Sequence, residues 1–301
     1  MNTINKILVT SATGKSGRVT VKELIKRGFP VRAMVRRYDE RAADLAQSGA
    51  EIVVADFKNY KSLLSALEGI DAAYMCYPVA EGITDATGLF AAAGKEKGLK
   101  RVVHLSVGSA DPNHLSPHCR AQWVAERLLD WAGFETIHIR VAAFFMENLF
   151  IHQQSIQQLG IIENPFGPFS PSWIATEDVG KMAASLLADS SQVNDSVIFP
   201  SGGENYSFAE VAKLMSGELN TSIVYQEVAP EKWREDLGVA VDAGLLNQRV
   251  VDHLVSQSIV LHDQPARPSN GYFKKLTGHD PLTLKSFIQS HKTLLGKINK
   301  S

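Results

Sequence analysis

The residues best suited to chemistry are Ser11, Ala12, Thr13, Gly14, Lys15, Ser16 and Gly17, which follow the apolar run KILVT at 6–10. Two kinds of phosphate loop share features with this stretch. Gly14-Lys15-Ser16 resembles the end of a nucleoside-triphosphate loop, which needs another glycine five positions earlier so that backbone amides can wrap the phosphates. That position is Val9, inside the apolar run, so the triphosphate reading fails on geometry. A dinucleotide-binding turn demands less. Gly14 would let a pyrophosphate approach the backbone, and Gly17 would let the next helix pack near the strand with its N-terminus facing the anion. Ser11 stands where such turns often carry glycine, and a small residue suffices there if its backbone angles stay ordinary. A plain strand-to-helix turn with two convenient glycines is the alternative.

The next strand candidate ends in Arg36 and Arg37, 19 and 20 residues beyond Gly17, with no acid before Asp39. An acidic residue there would bind ribose hydroxyls, whereas a guanidinium fork suits a 2′-phosphate. The expected cofactor is therefore NADP(H) in preference to NAD(H), against the alternative of two solvated arginines. Asp56 and Phe57 would lie beside the adenine, although Phe57 could equally be core. By the crevice rule for open parallel sheets, Tyr77 and Pro78 would border the ribose and nicotinamide side.

These residues need a scaffold, and the chain supplies one. KILVT (6–10), VRAMVR (31–36), EIVVAD (51–56), DAAYMCY (71–77), RVVHLS (101–106) and TIHIRV (136–141) are strand candidates. Helical stretches at 39–48, 60–68, 84–97 and 118–132 alternate with them, and Val21, Leu24, Ile25 and Gly28 form a stripe on an earlier helix. The apolar runs suggest strands buried on both faces, hence an α/β doubly wound parallel sheet of Rossmann type. Residues 1–150 are read as the nucleotide-binding domain, with 173–200 returning to it, and 151–301 as a smaller helix-rich lobe. In that second half MENLFIHQQSIQQLG reads as a helix leading into the loop NPFGPFSPSW (164–173), followed by a helix at 177–188 and a strand in SVIFP (196–200). Ser207 and Glu210 make a capping-box pattern. IVYQEV (223–228) reads as a strand and 239–255 as one helical stretch.

Composition narrows the classes. The 301 residues carry 31 basic and 32 acidic side chains, a formal charge of −1, which gives no electrostatic reason to expect nucleic acid or membrane binding. MNTINKILVT runs into a strand without a signal-peptide pattern, and no apolar run approaches the ~20 residues that span a bilayer. Two cysteines, Cys76 and Cys119, fit a reducing compartment, so a cytoplasmic protein is expected. The histidines show no metal-ligand spacing, so no metal is expected, and no Gly-x-Ser-x-Gly elbow supports a hydrolase.

ILVTSATGKSG, AMVRR, VVADFKN, RVVHLSVGSAD, HCRAQWVAERLLDWAG, HIRVAAFFMENL, WIATEDVGKMAASLL, YSFAEVAKLM and LTGHDPLTLKSFI occur in an order and spacing that resemble the NmrA-like branch of the short-chain dehydrogenase/reductase superfamily. The resemblance covers nearly the whole chain. It implies an NAD(P)-binding Rossmann lobe with a smaller lobe over the nicotinamide, in a family that holds both NADPH-dependent quinone reductases and redox sensors without turnover. It also implies a departure. Catalytic members of the wider superfamily use a Tyr-x-x-x-Lys pair on the helix after the fifth strand, where this chain has His118 and Gln122. Gln122 could contact a ribose hydroxyl but carries no charge to acidify a partner. His118 could donate a proton near neutral pH, or it could be a solvent-exposed residue at the helix start. Ser106 matches the superfamily's substrate-facing serine, and Glu126 would orient the helix or be solvated.

Phe144, Phe145, Met146 and Asn148, with Tyr77 and the 164–173 loop, would form an aromatic substrate pocket unless they are interlobe packing. The leading expectation is hydride transfer to a quinone-like or otherwise activated small molecule. The rival is a non-catalytic NADP(H) sensor that docks a protein partner.

Overall fold

The computed structural model describes residues 4–265 and 268–296. Its first half alternates strand and helix without exception. Strands β1 (Ile7–Val9), β2 (Val31–Val35), β3 (Glu51–Val54), β4 (Ala72–Met75), β5 (Arg101–Val107) and β6 (Glu135–Val141) are each followed, up to β5, by helices α1 (Lys15–Lys26), α2 (Glu40–Gln47), α3 (Tyr60–Leu67), α4 (Ile83–Glu96) and α5 (Pro117–Trp131). The helix starts follow local chemistry. Asp39 and Asn59 accept hydrogen bonds from Ala42 and Ser62 amides as caps of α2 and α3, and Ser116 caps α5 ahead of Pro117.

Beyond β6 the elements shorten. β7 (Phe144–Phe145) leads through a 3-10 segment over Met146–His152 into α6 (Gln153–Leu159), so the expected single helix changes pitch before it ends at left-handed Gly160. Next come β8 (Ile161–Asn164), β9 (Ser172–Ile174), α7 (Thr176–Ala188), β10 (Val197–Ile198), β11 (Glu204–Asn205), α8 (Phe208–Leu219) and β12 (Val224–Glu227). The capping box at Ser207 and Glu210 is complete. The helical stretch expected at 239–255 is broken in two, α9 (Pro230–Asp242) and α10 (Gln248–Leu261). Gly244, at φ 71°, takes the left-handed turn between them, and Asn247 caps the second. Helices α11 (Tyr272–Thr277), α12 (Leu284–Ser290) and α13 (Lys292–Leu295) complete the described chain.

Seven parallel strands form the main sheet in the order β3-β2-β1-β4-β5-β6-β10. Strand order reverses between β1 and β4, which places the 11–17 loop at the switch point of the sheet. One apolar layer joins Val21, Leu45 and Met182 beneath α1, α2 and α7, and the opposite layer joins Leu63, Phe90 and Leu129 from α3, α4 and α5. Both faces are covered in the middle of the sheet, but β3 is its edge and leaves Val54 55% exposed, against the expectation of strands buried on both faces. Gly28 also departs from its expected place on the α1 stripe: it lies past the helix end at φ 85°. α7 and β10 return to this sheet, β10 pairing with β6 through Val197–His138 and Ile198–Ile139. A separate core around Leu149, Phe166, Trp173, Phe208, Met215, Val251 and Phe287 fills the C-terminal half, alongside small sheets β11-β9-β7 and β12-β8.

The crossing of α1 and α7 is unusually close. A Cβ on Gly180 would stand 2.6 Å from the Ser16 carbonyl oxygen, and Thr20 Oγ1 donates across the contact to the Gly180 carbonyl at 3.1 Å. Alanine is favoured over glycine in a helix by ~1 kcal/mol, but backbone overpacking costs ~1–3 kcal/mol or more. Gly180→Ala is expected to lose about 1–2 kcal/mol net, read as a lower urea midpoint at unchanged slope. A stabilised variant would show that the helices part freely.

Candidate functional site

The loop after β1 is tied to the end of β4. Ser11 Oγ donates to the Cys76 carbonyl at 2.8 Å, and Thr10 Oγ1 accepts from the Cys76 amide at 2.9 Å while donating to the Tyr74 carbonyl at 2.9 Å. Ser11 does not keep ordinary backbone angles: its φ of 49° is left-handed, the conformation that glycine reaches without strain, and the bond to Cys76 helps hold it there. Its carbonyl is turned beneath α1. A Cβ on Gly17 would lie 2.4 Å from that oxygen and 3.0 Å from Ala12 Cα, so only glycine permits this seat. Gly14, the N-cap of α1, offers no side-chain cap, and the first turn holds no acidic residue. An exposed helix N-terminus with uncapped amides fits a pyrophosphate. Gly14 and Lys15 are exposed, Thr13 is half-buried, and Ala12, Ser16 and Gly17 lie inside, with Ser16 Oγ accepting from Tyr74 Oη at 3.1 Å.

Arg36 and Arg37 are exposed at the end of β2, and Arg37 lies 3.8 Å from Asp39. Phe57 is buried and packs edge-on against Tyr77, ring centroids 5.4 Å apart, with exposed Asp56 and Pro78 nearby in sequence. Burial raises the Tyr77 pKa; Asp56 adds to this and Arg36 opposes it, which puts all three in one neighbourhood. Tyr77 donates to the Glu81 carbonyl at 3.0 Å. It therefore belongs with Phe57 and Arg36 rather than to the substrate cavity, where it was also expected.

Helix α5 meets the sheet through a polar stripe, His118, Gln122, Glu126 and Asp130, spaced one turn apart. Glu126 is fully buried instead of solvated. It accepts from Ser106 Oγ at 2.6 Å and takes Arg140 bidentately at 2.8 and 2.5 Å. Asp130 meets His138 Nε2 at 2.9 Å, and His138 Nδ1 lies 3.2 Å from His104 Nδ1. Hydrogen bonds from His138 and Thr136, aided by Arg127, hold the Asp130 carboxyl down to about 2 against the opposing effect of burial. His118 is 1% exposed, contrary to the idea of a solvated helix-start residue. Burial pushes its pKa down to about 4, so it is neutral near pH 7 and no proton donor there. Its Nδ1 and the Oε1 of Gln122 are buried without a partner among the described residues, while its Nε2 lies 3.5 Å from Gln122 Nε2. An orphaned amide oxygen beside the strand end is compatible with a ribose hydroxyl.

A cavity of about 170 Å³ opens beyond the C-terminal ends of β5 and β6. Ser106, Gly108 and Ser109 line one side, Phe144, Phe145 and Asn148 another, and Phe166, Phe169, Phe208 and Trp233 an aromatic wall. His152, His253, Leu254, Gln257 and Leu261 complete it. Met146 is 1% exposed and belongs to the C-terminal core instead. Ser106 reaches the wall, but its hydroxyl is committed to Glu126. The contribution of α10 carried no sequence signal, because its residues lie more than a hundred positions from the strands they face. The one-turn spacing of His118, Gln122, Glu126 and Asp130 lies in the sequence, but their polarity did not reveal that Glu126 would meet Arg140 and Asp130 would meet His138. Among the described residues no group of three or more His, Cys, Asp or Glu is placed to hold a metal, and no helix is long and apolar enough to cross a membrane.

A seven-stranded parallel sheet with a glycine-seated helix at its switch point defines a Rossmann-type α/β protein with a helix-rich C-terminal part. Residues 3–258 match the NmrA-like family, and the chain belongs to that family. It is 26% identical over 292 residues to prestalk A differentiation protein A of Dictyostelium discoideum, covering 94% of this chain and 91% of that one. It is 25% identical over 301 residues to an NAD(P)H azoreductase of Xenophilus azovorans, covering 96% and 99%. Its fold matches that of an NADPH-dependent quinone oxidoreductase of Escherichia coli solved with NADPH, at TM-score 0.81 and 20% identity, over 94% of this chain and 99% of that one.

Removing one member of a buried ion pair leaves the other charge stranded, at a cost of about 3–5 kcal/mol. Glu126→Ala should lose that much in denaturant unfolding. Glu126→Gln, which can still accept from Ser106, should lose less. A Glu126→Ala loss below about 1 kcal/mol would show that Arg140 finds water or another acid.

Proposed function

We propose that this chain is an NADP(H)-dependent oxidoreductase that reduces a flat, activated acceptor such as a quinone or an azo compound. The observation that carries this reading is the adjacency of two features along one sheet edge: a helix N-terminus seated by Gly17 at the switch point, and an aromatic-walled cavity beyond β5 and β6. The relatives described as an NAD(P)H azoreductase and an NADPH-dependent quinone oxidoreductase support it. Amides of Lys15 to Gly17 would hold the pyrophosphate, which side-chain-free Gly14 lets approach while its own amide donates to the Ser11 carbonyl. Arg36 and Arg37 would hold the 2′-phosphate, Asp56, Phe57 and Tyr77 the adenosine end, and Gln122 a ribose hydroxyl. The bound reduced nicotinamide would supply a hydride. The protein would place the acceptor against it and exclude water with Phe144, Phe166 and Trp233. A neutral His118 in place of the superfamily's tyrosine disfavours carbonyl reduction through a tyrosine acid and favours acceptors that need chiefly stacking. The same replacement keeps a sensor without turnover as the second reading.

Purified protein mixed with NADPH and a panel of quinones and azo dyes should bleach the reduced cofactor's absorbance. Tight NADPH binding with no oxidation by any acceptor would favour the sensor. Arg36→Ala should weaken NADPH by at least about tenfold in calorimetry, as expected for a charge-assisted phosphate contact, and NADH far less. Equal weakening of both nucleotides would remove the phosphate role.

A further inference from the structure

The cavity has several polar side chains, but most are spoken for. Ser106 is held by Glu126. Ser109 lies 2.5 Å from Gln257 Nε2 and 3.2 Å from Cys119 Sγ, and the same Gln257 amide donates to Cys119 Sγ at 3.2 Å. His253, on α10, differs because its far nitrogen is fixed while its half-buried ring borders the cavity.

The fixing is a matter of hydrogen-bond bookkeeping. Ser116 Oγ accepts the Cys119 amide as the cap of α5, at 3.5 Å, and lies 3.0 Å from His253 Nδ1. Buried Ser116 has one hydroxyl proton, and Nδ1 is the acceptor within its reach. The Cys119 thiol, 3.7 Å from the same nitrogen, accepts from Gln257 and has Ser109 Oγ at 3.2 Å as the nearer place for its own proton. Burial raises the Cys119 pKa, so that proton stays on. The Ser116 hydroxyl, directed at Nδ1 at 3.0 Å, makes that nitrogen the acceptor and leaves the hydrogen on Nε2. His118, edge-on to His253 with centroids 5.1 Å apart, backs the ring. Burial, with His118 and His114 adding to it, pushes the His253 pKa down to about 3, so the imidazole is neutral near pH 7.

We infer that His253 presents a preorganised Nε2–H donor to the carbonyl oxygen of the acceptor, taking over from α10 the electrophilic role that no tyrosine fills on α5. This inference rests on the reductase reading above. His253 donates a hydrogen bond and keeps its proton. Reduction of a 1,4-quinone breaks the nicotinamide C4–H bond and moves both electrons and one hydrogen to the quinone, and the second proton comes from water to the oxygen that His253 holds. His152 and Asn148 also reach the cavity, but among the described residues no side-chain hydrogen bond fixes either in one orientation, so neither is preorganised in this way.

Three measurements on the full chain test this. Nitrogen-15 NMR of the cofactor-free protein at pH 7 should show a neutral His253 with hydrogen on Nε2, assigned by its loss in His253→Gln. Bound 1,4-naphthoquinone should show a lowered carbonyl stretch in the infrared for wild type and His253→Gln, but not for His253→Phe. With NADPH and the same quinone, His253→Phe should lower kcat by about a hundredfold, the scale of one lost electrophilic donor, at unchanged NADPH affinity. His253→Gln, which keeps an N–H at similar reach, should stay within about tenfold of wild type. Hydrogen on Nδ1, an unshifted carbonyl in wild type, or a His253→Phe enzyme within threefold of wild type would each overturn the inference. A wild type that oxidises NADPH with no acceptor removes the reductase reading, while the tautomer and the carbonyl stretch still decide the role of His253.

Discussion

The first turn of α1 rests directly on the Ser11 carbonyl, with no room for a side chain between them. This backbone-on-backbone contact sets where the helix points, and with it where uncapped amides can meet an anion. It also sets the neighbouring layer, since α7 packs on α1 with equal closeness at Gly180, and Thr20 bridges the two helices through the Ser16 and Gly180 carbonyls. The Rossmann half is therefore braced through small residues whose importance lies in what they leave out.

Much of this was legible in the chain. Short β-branched runs separated by capped amphipathic helices identify a doubly wound sheet, because each run must be covered on both sides. The six strands and four helices read in the first half lie within a residue or two of the observed elements. Errors fall where periodicity stops being informative. The 239–255 stretch stays apolar across its break, so only Gly244 and Asn247 could have signalled two helices. Ser11 departs from ordinary backbone angles, and its side-chain bond to Cys76, which helps hold it there, is a tertiary contact that local sequence does not display.

The site was legible to a smaller extent. Position relative to strand ends is what selects the loop residues, the arginines after β2 and the 144–148 segment as candidates, and the structure places all three at the C-terminal edge of the sheet. Side-chain direction was not legible: Met146 turns into the core while Phe145 and Asn148 face the cavity. The α5 stripe shows why polarity misleads. Glu126 reads as a residue that orients the helix or is solvated, and in the fold it is the fully buried acceptor of half-buried Arg140 and buried Ser106, the three stiffening the strand end that borders the cavity.

Lys15 connects the two halves. Its ammonium sits 5.3 Å above the Phe150 ring, which in turn tilts against Phe287 of α12 at 5.8 Å and His291 at 5.4 Å. A phosphate drawn to the neighbouring amides competes with that ring for the same cation. An anion at that end of the cleft would thereby draw on a contact that touches the C-terminal helices. On the reductase reading proposed above, a molecule whose binding to those helices changed on nucleotide binding would change nucleotide affinity by the same factor.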